Sequence, residues 1–116
     1  MSHRETVVPL RHMLDHAKEA VSMSRGKTRA DLDKDRLLNL ALVRLLEIIG
    51  ESASRVPKND RDLHPEIPWP EIVGLRNRLI HGYDEVDFDI LWQIVQTDLS
   101  PLIDKLEKIL TQQNPS

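Results

Sequence analysis

The chain of 116 residues carries 16 basic and 19 acidic side chains. The net charge of −3, with histidine neutral, excludes a strongly basic nucleic-acid coat but leaves room for a local basic site. A hydrophobic content of 40% with 30% charged residues fits one soluble globular domain spanning 1–116, and the lack of cysteine removes disulfides, thiolate metal ligands and cysteine nucleophiles together.

Apolar runs are too short to span a bilayer, and the N-terminal stretch has no signal-peptide core, so a cytoplasmic protein is expected. A first helix is predicted from near Val8, with Pro9 in its first turn, where a missing N–H costs little. Leu10, Met13, Leu14, Ala17, Val21 and Ser24 follow helical spacing, and Gly26 is its stop. Thr28 to Asp31 resembles a threonine-first capping pattern, so the stretch to about Asp33 is either a turn of helix or a loop. A second helix runs from about Asp35 to Arg55, with Leu38, Leu42, Leu45, Leu46, Ile49, Ala53 and Val56 in one stripe. Leu40, Val43, Glu47, Gly50 and Ser54 fall on the opposite side. That side is either a surface with scattered apolar residues or a second packing face, for another helix or for a second subunit.

Pro57 to Pro70 holds four prolines and no usable period, which predicts a rigid loop. A third helix begins around Pro70, with Ile72, Val73, Leu75, Leu79 and Ile80 on its apolar side and Gly82 as its stop. Asp87 is a good N-cap for a fourth helix carrying Phe88, Leu91, Trp92, Val95, Leu99, Leu102, Leu106, Ile109 and Leu110. Ser100-Pro101 should kink or split that helix, and about 112–116 reads as a frayed tail. With no predicted strand, the expected fold is all-α, an antiparallel bundle of four to five helices.

The sequence contains no phosphate-binding glycine loop and no HExxH. His12 and His16, four apart beside Asp15 and Glu19, have a spacing that can bind a metal, but the same row also reads as a solvated face. His3 is terminal, and His64 lies in the proline-rich loop between Asp62 and Glu66. No metal site and no cofactor are assigned. His81 stands apart, in the run Arg76-Asn77-Arg78-Leu79-Ile80-His81-Gly82-Tyr83. Arginine offers a planar fork of donors for phosphate, and histidine exchanges protons near neutrality. Together they suffice for metal-free RNA cleavage, although a capped helix end has the same composition. In a straight helix His81 is rotated about 140° from Arg76. Either the helix breaks before His81, or a second copy of the motif completes the site across a two-fold axis.

Arg76 through Tyr83 resembles the Arg-x4-His-x-Tyr motif of HEPN domains, specifically HepT-type toxins paired with MNT-type minimal nucleotidyltransferases. Leu45 to Ala53 with its Gly-Glu step, Pro65 to Trp69, Val86-Asp87 with Trp92, and Asp98 to Leu102 resemble further segments of that family. The resemblance covers roughly 37–110 and implies an all-helical homodimer with its motifs in an interface cleft. It implies a metal-independent endoribonuclease, the toxin of a prokaryotic toxin–antitoxin pair. Arg76 and His81 would be the catalytic pair and Asn77 a supporting donor; Arg78 has no fixed role in that family and is assigned to RNA phosphate binding from its chemistry. Tyr83 would accept AMP from the nucleotidyltransferase antitoxin. The alternative within the family is a non-catalytic binding or regulatory partner, itself the substrate of that nucleotidyltransferase.

Overall fold

The computed structural model describes residues 3–82 and 85–113, so Tyr83, Asp84 and the last three residues of the expected tail lie outside the described residues. Three long helices organise the fold: α1 (His3–Ser24), α3 (Arg36–Arg55) and α8 (Leu99–Gln113), with α1 packed against both of the others. The whole stripe predicted on α3, from Leu38 through Val56, is buried, as is the α1 stripe through Leu10, Met13, Leu14 and Ala17. The all-α expectation therefore holds, because the apolar spacing of each helix supplies one face to a shared core.

The ends follow local chemistry. Asp35 caps α3 by accepting the Leu38 amide at 3.0 Å. Gly26 closes α1 at φ 74°, a left-handed conformation that suits glycine. The stretch after it does form a helical turn, α2 (Asp31–Lys34), and Asn39 ties that turn to α3 by donating to the Leu32 carbonyl at 2.9 Å.

Four expectations need correction. The first helix starts at His3, not near Val8, so Pro9 is internal to it. Its early turns are anchored by Thr6, 4% exposed, whose hydroxyl donates to Asp60 at 2.7 Å. The proline-rich segment is not wholly loop: α4 (Lys58–Asp62) forms a single turn, too short to show a period. The third helix is two pieces, α5 (Trp69–Val73) and α6 (Leu75–Leu79), separated at Gly74, and it stops before Gly82. The predicted absence of strands also fails at one place. Ile80–His81 (β1) pairs antiparallel with Glu85–Val86 (β2), in register Ile80 with Val86 and His81 with Glu85.

After Asp87 the chain forms α7 (Phe88–Gln93), a π-helical turn at Ile94–Asp98, and then α8. The disruption expected at Ser100-Pro101 is this π turn just ahead of it. Pro101 has no N–H for the carbonyl four residues back, and the widened turn relieves the clash that a regular helix would impose there.

Gly50 fixes how the motif segment sits. A Cβ at this position would lie 2.9 Å from the Ile72 carbonyl oxygen and 3.6 Å from that of Val73. The missing side chain lets the backbone of α5 approach α3 directly. The second face of α3 is therefore covered from within the chain at Gly50, while Leu37 and Leu40 at its other end remain exposed.

Candidate active site

Arg76 and Asn77 project from α6 into a groove of about 280 Å³ shared with Glu47, Gly50, Glu51, Ser54 and Val73. Glu47, half-buried on α3, steadies the guanidinium: its Oε2 lies 3.5 Å from Arg76 Nε, while its Oε1 lies 3.8 Å from Arg44 Nη1. The Arg76 side chain is still 66% exposed, so most of its donors remain open to a ligand. Arg78, two positions on, turns the other way. It pairs with Asp98 of the π turn at 3.5 Å and lines a separate groove of about 430 Å³ floored by Ile72, Leu75, Ile94 and Leu99.

The helix does break before His81. Ile80 leaves α6 at φ −103° and ψ 125°, and His81 falls on β1 beyond the helix end. Gly82 then takes φ 65° to open the hairpin turn. Asp87 returns on the far side, where its amide donates to the Leu79 carbonyl at 2.8 Å. Its carboxylate is thereby brought to His81, with Oδ2 3.5 Å from Nε2. The imidazole is 60% exposed. Arg76 and His81 thus each face an acid from a different element rather than each other. Tyr83, the expected modification site, lies outside the described residues.

The sequence reading missed both of these acids in their site setting. From spacing alone Glu47 is only a member of the α3 second face, and Asp87 only a cap. The available signal for Asp87 was Ile80 and Val86 flanking a glycine-containing polar stretch, the pattern of a short hairpin. The His12–His16 pair takes the solvated-face reading: His16 Nδ1 hydrogen-bonds the His12 carbonyl at 2.6 Å, and the rings meet edge to face. Among the described residues no group of three or more His, Asp or Glu side chains is arranged to hold a metal ion. Among them, too, no helix is long and apolar enough to cross a membrane.

The model of the family described as ribonuclease HepT-like matches residues 13–109, which include Arg76, Asn77, Arg78, His81 and Tyr83. The chain belongs to the HepT-like ribonuclease family. A Thermococcus cleftensis protein provisionally named ribonuclease HepT is 39% identical over 83% of this chain and 91% of its own length. A provisionally named RNase of Caldanaerobacter subterraneus subsp. tengcongensis is 36% identical, over 90% of this chain and 93% of its own. Another from Methanocaldococcus jannaschii is 33% identical over 92% and 98%. No solved structure matches. In this HepT-like ribonuclease family member the hairpin takes His81 off the helix and sets it beside Asp87, not beside Arg76.

Proposed function

We propose that this chain is a metal-independent endoribonuclease, the toxin of a prokaryotic toxin–antitoxin pair, acting in the cytoplasm as a homodimer. The observation that carries the reading is the motif itself. Inside a HepT-like ribonuclease match, Arg76 and His81 both present open heads, each steadied from behind by an acid. His81 takes the proton of a ribose 2′-hydroxyl as its oxygen attacks the adjacent phosphorus. The 5′-oxygen leaves with a proton taken from water, a 2′,3′-cyclic phosphate is formed, and Arg76 stabilises the charge that gathers on the phosphoryl oxygens. Asn77 supports Arg76 in the same groove, and Arg78 contributes a phosphate contact on the other side of α6. Net charge and the carboxylates around the site, including exposed Glu85, favour transient rather than avid binding of RNA.

The partner is a minimal nucleotidyltransferase antitoxin that transfers AMP to the Tyr83 hydroxyl and releases pyrophosphate. The added phosphodiester brings about one negative charge and a bulky nucleoside close to His81, where it competes with RNA for Arg76 and for space. The test is purified protein on RNA in the presence of a chelator. His81→Ala and Arg76→Ala should each lower cleavage by roughly 10²- to 10⁴-fold with an unchanged melting temperature. Co-expression with the nucleotidyltransferase should add AMP-sized mass that Tyr83→Phe abolishes. Cleavage stopped by chelation, or retained by both alanine variants, overturns the nuclease. Retained cleavage together with modified Tyr83 would make the chain a substrate and regulatory partner instead.

A further inference from the structure

We propose that Asp87 is a positioning residue for His81, holding the ring by Nε2 so that Nδ1 is the nitrogen that exchanges the proton with RNA. The proposal rests on the ribonuclease reading for its kinetic consequence, though not for its structural one. Asp87 divides its carboxylate between two tasks. Oδ1 caps α7, accepting the amides of Asp89 at 3.0 Å and Ile90 at 3.1 Å. Oδ2 is left over, and it faces His81 Nε2 at 3.5 Å. The backbone bond from the Asp87 amide to the Leu79 carbonyl fixes where the residue sits on the hairpin. Two amides on one oxygen and a fixed Cα leave the carboxylate little freedom to rotate, so the second oxygen is aimed by the cap.

At 3.5 Å the contact is an ion-pair distance rather than a formed hydrogen bond, and such contacts tighten when a substrate closes the site. The other acid facing His81 is Glu85, opposite it in the hairpin register and exposed, with no cap to hold its side chain. Among the described residues the carboxylate within 4 Å of a His81 ring nitrogen is that of Asp87. A neutral ring that donates Nε2–H to a carboxylate carries its lone pair on Nδ1. The tautomer, and with it the atom that can accept the 2′-hydroxyl proton, follows from the acceptor at 87.

The cap also makes the test selective. In Asp87→Asn the side-chain oxygen is claimed by the Asp89 and Ile90 amides, so the NH2 group turns to His81. A donor at that place forces Nε2 to accept and moves the ring proton to Nδ1. Asp87→Ser retains a capping oxygen but is too short to reach the ring. In full-length protein labelled with 15N-histidine, long-range 1H–15N spectra at a pH where the ring is neutral should show His81 as the Nε2–H tautomer. The resonance is assigned by its loss in His81→Gln. Asp87→Asn should show the Nδ1–H form. On a single-stranded RNA oligonucleotide, Asp87→Asn should lower kcat by roughly 10²-fold and Asp87→Ser by roughly 10-fold, with KM within about twofold. Both should melt within a few degrees of wild type. An unchanged His81 tautomer in Asp87→Asn overturns the proposal whether or not the protein cleaves RNA. Unchanged kcat in both variants reduces Asp87 to a helix cap. A wild-type protein without nuclease activity would instead fail the functional reading, and the tautomer measurement would still decide the pairing.

Discussion

Gly50→Ala sets two effects of known size against each other. In a helix interior, alanine is favoured over glycine by about 1 kcal/mol. Here the new Cβ would lie 2.9 Å from the Ile72 carbonyl oxygen, with a second carbonyl at 3.6 Å and the Leu75 Cβ at 3.8 Å. The obstacle is backbone, so it cannot rotate aside, and α5 must retreat by a few tenths of an ångström. Overpacking of this kind costs about 1–3 kcal/mol. The packing term therefore wins, and the net loss should be about 1 kcal/mol, or about 4 °C in melting temperature for a domain of this size. Because the same retreat lifts α6 from α3, the Glu47–Arg76 contact at 3.5 Å should lengthen and RNA cleavage should fall as well. Urea unfolding of wild type, Gly50→Ala and the control Ser54→Ala reads the first effect. Ser54 is exposed one turn along the same helix, so its alanine variant should stay within about 0.5 kcal/mol. A Gly50→Ala protein more stable than wild type would refute the claim that the close approach of α5 governs this position.

Two further outcomes follow from local geometry. The Thr28 amide, donating at 2.7 Å, chiefly holds the Asp31 carboxyl below the ordinary aspartate range. A carboxyl depressed in the folded state contributes stability above that range and loses it as pH falls through the depressed value. Asp31→Asn should thus be less stable than wild type at neutral pH, and the gap should close in paired urea titrations as pH falls through the depressed value; a gap that persists undiminished in acid would count against the Thr28–Asp31 contact. If each cleft takes Arg76 from one copy and His81 from the other, mixing and re-equilibrating Arg76→Ala with His81→Ala should restore about one quarter of wild-type cleavage. No recovery despite subunit exchange would place both groups in one chain.

The buried half of α3 was legible because one stripe of leucines and isoleucines at helical spacing has only one way to leave water. The start of α3 near Asp35 and the stop at Gly26 were legible because both ends are set within a few residues, although the capping role of Asp35 itself was not read. What was not legible depends on contact between distant segments. Pro9 reads as a helix start until Thr6 is seen bonded to Asp60. Gly50 reads as an oddity until the carbonyls of α5 are set against it. At the site, the motif residues could be named from spacing, but the acids that hold them could not. Glu47 arrives from another helix, and Asp87 arrives by a hairpin whose strands are two residues each, too short to imprint an alternating pattern.

The two motif groups of one chain are held apart, Arg76 toward α3 and His81 toward the start of α7, and both heads are open. In the proposed homodimer a second copy would bring an arginine and a histidine to one phosphate, and the exposed apolar residues of α3 are the surface on which that proposal can be tested. Leu37 is 80% exposed and Leu40 48%, on the α3 face whose other end is the Arg76 groove. Burying a leucine fully yields about 1.5–3 kcal/mol, so the exposed parts of these two from each copy yield about 4–8 kcal/mol. Association itself costs an estimated 4–15 kcal/mol, and leucine burial alone leaves little surplus. A stable isologous contact must therefore extend beyond them. Along α3 the next apolar surface is Val43, half-buried, and then Val73 of α5, 38% exposed, which lines the groove with Arg76. If the proposed homodimer uses this face, its interface extends to the Arg76 groove, and substitutions such as Leu40→Glu that prevent dimerisation should abolish cleavage rather than merely weaken it.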